Sequence, residues 1–129
     1  MSLLRVLIVF NAYQLRGGED SVVDAELALL RGHGHEVATY FRSNDDVSGI
    51  SSLALARQTL WSARTQDGLA ELIRRFQPDV IHAHNTFPLI SPSLYWAAAR
   101  AGVPVVQTLH NFRLMCLNAL FLRDSKVCE

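Results

Sequence analysis

The run Leu3 to Phe10, LLRVLIVF, constrains the fold more than any other segment. It is nearly continuous in aliphatic and aromatic side chains, so a strand built from it has no wet face. Such a strand belongs in a parallel sheet covered by helices on both sides. After a polar loop from Asn11 to Gly18, residues Val22, Val23, Leu27, Leu29 and Leu30 share a broad helical face. Glu19 and Asp20 sit where a helix start favours acids, and Gly32 and Gly34 stop the helix.

The same alternation continues along the chain. Glu36 to Phe41 has strand chemistry, and Ser43 to Asp46 has turn chemistry. Val47 to Arg64 carries only a weak helical pattern. Leu69, Leu72, Ile73 and Phe76 follow helical spacing, which predicts a helix over Asp67 to Phe76. Asp79 to His84 reads as a short strand and Ser93 to Arg100 as a helix opened by Pro92 and closed by Gly102. Val103 to Leu109 is a further strand, and Leu120 to Cys128 resembles a hairpin around Asp124-Ser125. Strands alternating with helices predict α/β architecture, a Rossmann-like doubly wound parallel sheet in one domain over residues 1–129. Because the chain stops within an element, it is expected to be truncated.

With 129 residues, half of them hydrophobic, the chain can build a real core. Its formal net charge of zero supplies no basic field for a phosphate backbone, so nucleic acid is not an expected partner. No apolar run approaches the roughly 20 residues that span a bilayer, and no cleavage site marks a signal peptide, so the expected location is cytoplasmic. Cys116 and Cys128 are expected to be reduced rather than bridged in that setting.

In an open parallel sheet, ligands bind beyond the carboxyl ends of the strands. Here those segments are polar: Asn11 to Glu19, His84-Asn85-Thr86 and His110-Asn111. Gly17-Gly18 before a helix lets backbone approach a ligand, and the free amides of a helix start favour phosphate or carboxylate. The spacing is not the triple-glycine dinucleotide fingerprint, which disfavours NAD. His82 and His84 are expected on opposite faces of their strand, so that only one of them faces a site. His84, last on the strand, is the ligand-side candidate and His82 a core histidine, while His110 ends the neighbouring strand and is expected near His84. No metal is expected, since a catalytic site needs about three protein ligands and no carboxylate clusters with the histidines in sequence. No nucleophile elbow is present.

In order along the chain, LLRVLIVFNAY with RGGED, RGHGHEV, PDVIHAHN, FPLISPSLYWAAARAGVPVVQTLHN and the strand-end His110 resemble the amino-terminal, acceptor-side half of a GT-B fold retaining glycosyltransferase of the family 4 type. The resemblance covers essentially the whole chain. It implies two Rossmann-like domains facing across a cleft, with a carboxy-terminal donor-binding domain that this chain lacks. It implies transfer of a sugar from a nucleotide-sugar donor to a saccharide or lipid-linked acceptor, without turnover by this half alone and without a cofactor beyond the donor substrate. The amides of Gly17 and Gly18 would approach the donor diphosphate, and His110 would serve as the catalytic-side histidine beside the transferred sugar. His84, Asn85, Asn111 and Arg113 would line the acceptor side. The resemblance also allows peripheral membrane association of the full enzyme, and an uncovered cleft face predicts self-association of this half. Two other readings compete: a non-enzymatic ligand- or protein-binding module, and a small metal-dependent hydrolase built on His82, His84 and His110.

Overall fold

The computed structural model describes residues 2–12, 17–116 and 118–127. Its central sheet has four strands, β1 (Arg5–Ala12), β2 (Glu36–Ser43), β3 (Val80–Ala83) and β4 (Val105–Gln107), in the order β2-β1-β3-β4, and all three pairings are parallel. Helix α1 (Gly18–Gly32) links β1 to β2. A short 3-10 turn (Asn44–Val47), α2 (Ser52–Leu60) and α3 (Ala63–Phe76) lead from β2 to β3, and α4 (Ser93–Ala101) leads to β4. This is the Rossmann-like α/β arrangement that the alternation of elements predicts.

The apolar run of β1 divides its side chains between two cores. Val6 and Ile8 pack under Val23 of α1 on one face, joined by Phe10, Leu27, Leu30, Val37 and Val80. Leu7 and Val9 lie on the other face with Ile81, Ala83, Leu69 and Ile73 of α3, and Leu94, Ala97 and Ala98 of α4. Two-sided burial accounts for a strand with hardly any polar alternation. It also makes the sheet doubly wound, with α1 on one side and α3 and α4 on the other.

Boundaries moved where local chemistry was ambiguous. The segment with weak pattern is two elements: α2, whose cap is Ser51 Oγ accepting from Ala54 N, and α3, which begins four residues before the expected Asp67. Ser62 Oγ accepts from Thr65 N at 3.2 Å and caps α3 there, a side-chain start signal that outweighs the apolar stripe farther along. Strand β4 is shorter than the expected Val103 to Leu109. The hairpin is present as β5 (Leu122–Arg123) and β6 (Lys126–Val127), antiparallel, with Asp124 and Ser125 both at positive φ as its two-residue turn requires. Cys116 is a free thiol, while Cys128 and the loop residues Tyr13 to Arg16 lie outside the described residues.

Helix α4 ends at Gly102 with φ 68°, a left-handed cap where an added Cβ would meet nothing within 4 Å. The glycine is there for its backbone and not for space. Gly102→Ala is therefore expected to cost about 1 kcal/mol with no change in ligand binding, read as a lower urea midpoint at constant slope.

Candidate functional site

The crossover from β1 runs to β2, and the crossover from β3 runs the opposite way to β4. Their carboxyl ends are adjacent, so a crevice opens between them, which is the position where open α/β sheets take ligands. The two loop starts are tied to each other. Asn11 N–H donates to Asn85 O at 2.7 Å, Asn85 Nδ2 returns a bond to Asn11 O at 3.1 Å, and Asn85 Oδ1 accepts from Phe87 N. Asn11 is itself buried and donates to Asn44 Oδ1 at 2.6 Å.

One pocket is lined by His84, Asn85, His110, Asn111 and Arg113 together, with Tyr95 on its wall. Five candidates drawn from the ends of two strands thus converge. Asn111 joins this pocket to the start of α1, since its Nδ2 donates to Glu19 Oε1 at 3.3 Å while its Oδ1 accepts from Arg113 N at 3.0 Å. The Arg113 guanidinium lies 4.3 Å from the Phe87 ring centroid, and its Nε is buried without a hydrogen-bond partner. Arg113 therefore keeps an unsatisfied donor beside the pocket. Tyr95 donates to Gln107 Oε1 at 2.6 Å, and Gln107 Nε2 donates to the Thr108 and His84 carbonyls. Burial pushes the Tyr95 hydroxyl pKa up.

The histidines depart from expectation. A strand alternates its side chains with period two, so residues two apart share a face. His82 and His84 accordingly lie on the α1 side of β3 with ring centroids 4.4 Å apart, not on opposite faces. His84 stacks on His110 at 5.3 Å and 25°, and His84 Nδ1 is 3.0 Å from His110 Nε2. His82 Nε2 is 2.8 Å from Thr108 Oγ1, and its Nδ1 is in direct contact with Glu26 Oε1. His84 is 1% exposed. Burial, reinforced by His82 and His110, lowers its pKa to about 4, so its ring is neutral at pH 7.

Glu26 escaped the sequence reading, although a signal for it existed. It stands on α1 three residues after Val23 and next to Leu27, on the stripe that faces the sheet. Its carboxylate meets His82, and its Oε2 is 3.4 Å from His84 Nε2, which is otherwise without a partner among the described residues. The premise that no carboxylate stands beside the histidines is therefore overturned. Glu26, His82 and His84 bring ligand-type atoms within 4.8 Å of one another, a donor set of the kind that holds a divalent cation. Here, however, Glu26 and His82 pair directly with each other.

At the other side of the crevice, Gly17 caps α1, but its N–H already donates to Asp20 Oδ2 at 2.8 Å, and Glu19 adds a second carboxylate. That is a partly self-satisfied helix start. Neither Gly17 nor Gly18 has a positive φ, and a Cβ at either would meet nothing within 4 Å. Backbone strain and packing thus give no reason for the pair.

A family model described as Glycosyltransferase Family 4 matches residues 16–124. The chain belongs to glycosyltransferase family 4. That membership carries a glycosyltransferase-type function in general. A search of curated proteins returned no match. Among the described residues, no helix is long and apolar enough to cross a membrane.

Proposed function

We propose that this family 4 domain is the acceptor-side half of a glycosyltransferase that moves a sugar from a nucleotide-sugar donor to a saccharide or lipid-linked acceptor. The observation that carries the reading is the convergence of His84, Asn85, His110, Asn111 and Arg113 on one pocket at the crevice between β1 and β3. Imidazole, amide and guanidinium groups there match the hydroxyl-rich surface of a sugar. The open backbone at Gly17 and Gly18 suits a diphosphate reaching the crevice from the donor side, with the Asp20 carboxylate displaced from Gly17 N–H or left beside it.

One Rossmann-like domain supplies one wall of a cleft, and a second domain carrying the donor is required for turnover. For residues 1–129 by themselves, which supply one wall, binding should be weak, with Kd near or above about 1 mM, which is about −4 kcal/mol. Titrating the 15N-labelled chain with uridine diphosphate, guanosine diphosphate and methyl glycosides tests this. Saturable shifts at His84, Asn85, His110 and Asn111 for a glycoside, or at Gly17 and Gly18 for a diphosphate, are the expected result, with His110→Ala weakening glycoside binding about tenfold. Shifts confined to other surfaces, or none at tens of millimolar ligand, would sink the reading.

A further inference from the structure

Five groups from three parts of the fold form one series of polar contacts: Thr108 to His82, His82 to Glu26, Glu26 to His84, and His84 to His110. Each imidazole nitrogen in the series must be either a donor or an acceptor, and the Glu26 carboxylate can only accept. A lone pair on His84 Nε2 would face the lone pairs of Glu26 Oε2 at 3.4 Å in a buried place, so the ring carries its proton there. A neutral His84 then has its lone pair on Nδ1, and His110 must supply the proton to the 3.0 Å contact from its own Nε2. What remains on His110 is Nδ1 with its lone pair, to which no other described residue bonds.

We infer that Glu26 is a positioning residue that acts through His84 to fix the tautomer of His110, so that His110 presents an acceptor nitrogen to a hydroxyl of the ligand in the pocket. The ligand part of this rests on the glycosyltransferase reading, while the tautomer part does not. An acceptor nitrogen selects a hydroxyl or N–H that can donate and turns away an oxyanion, so the same pocket would bind a neutral sugar in preference to a phosphate. His82 has a separate job in this scheme. It takes the other carboxylate oxygen and is itself held by the Thr108 hydroxyl.

The test is long-range 1H–15N correlation spectroscopy on the 129-residue chain labelled at histidine nitrogen, at pH 7.5 and with no ligand present. In the wild type, His110 should carry its proton on Nε2 alone, with a scalar coupling across its hydrogen bond to His84 Nδ1. In Glu26→Gln the amide oxygen takes the place beside His82 and the amide N–H faces His84. In Glu26→Lys a donor faces both rings. Each change should reverse the His84 proton and with it move the His110 proton from Nε2 to Nδ1. His82→Phe removes a ring that is not on the route to His110 and should leave its tautomer as in the wild type.

A wild-type His110 protonated on Nδ1 overturns the proposal, and so does a His110 that keeps its Nε2 proton in both Glu26 variants. If His82→Phe moves the His110 proton as far as Glu26→Gln does, the network is only structural and the proposal fails. Adding equimolar Zn2+ to the wild type gives one more outcome. Capture of the ion by His82 Nδ1 and His84 Nε2 would mean that the cluster is a metal site and would overturn the relay. None of these readouts depends on sugar binding. If the tautomers behave as stated and glycosides fail to shift His110, the glycosyltransferase reading falls alone; if glycosides bind and the tautomers disagree, the relay falls alone.

Discussion

Ile81→Ala should remove about 3–4 kcal/mol of stability, the largest effect of any single truncation proposed for this domain. Ile81 is fully buried on β3, paired with Leu7 on one side and Val105 on the other, and its side chain belongs to the core beneath α3 and α4. Deleting its outer carbons loses their transfer free energy and leaves a hole that rigid strands on both sides cannot close. Domains of this size are stable by about 5–15 kcal/mol, so the loss takes most of the stability at the low end of that range and about a quarter at the high end. Urea unfolding followed by tryptophan fluorescence checks it: the midpoint should fall steeply at unchanged slope. Val106→Ala on β4 is the companion measurement, because Val106 is 53% exposed and its loss should cost less than about 0.5 kcal/mol. Equal effects at the two positions would mean that the core is not where the sheet places it.

Acid should weaken the domain through His84. In the folded chain its pKa is lowered to about 4, against an ordinary value near 6.5, because burial and the two neighbouring imidazoles oppose its charge. Between those values the unfolded chain binds a proton that the folded chain refuses, so stability falls as pH drops from about 6.5 to about 4 and the effect levels off below that. A shift of this size corresponds to about 3 kcal/mol across the window, at about 1.4 kcal/mol per pH unit. Other groups titrate in the same range. The discriminating quantity is therefore the difference in slope between the wild type and His84→Phe, which keeps the ring stack and cannot be protonated. The wild type should lose about 3 kcal/mol more than the variant on going from pH 7.5 to pH 4; parallel slopes would show that His84 is solvated or already charged.

How much of this was legible beforehand depends on the physics each feature obeys. The run LLRVLIVF announced a strand buried on both faces because periodicity and burial are local properties, and Val6, Ile8, Leu7 and Val9 do divide between two cores. The hairpin was readable from Asp124-Ser125 because turn chemistry is also local. The start of α3 was obscured because Ser62 caps it through one hydrogen bond ahead of the apolar stripe. In the site, the strand-end rule located His84 and His110, and their 3.0 Å contact is what adjacent strand ends should provide. His82 was set on the opposite face against the period-two rule of a strand. Glu26 carries a sequence signal only in its place beside Leu27 and three residues after Val23, where it is half-buried while Asp24 and Arg31 are exposed. Its pairing with His82 and His84 spans more than fifty residues of chain and is visible only once α1 lies across β3.

The same span has a consequence for how the molecule opens. Glu26 rides on α1 behind His84, while His84 ends β3 and His110 follows β4, and the pocket takes its lining from the ends of those two strands, so a state in which either strand has come away has no complete pocket. Amide exchange at His84, which donates to Val9 O at 2.9 Å, should then slow by the same free energy that a bound glycoside adds to global stability. Ligand occupancy and the integrity of the whole sheet would rise and fall together, and a partly melted chain would be silent toward sugar instead of binding it loosely.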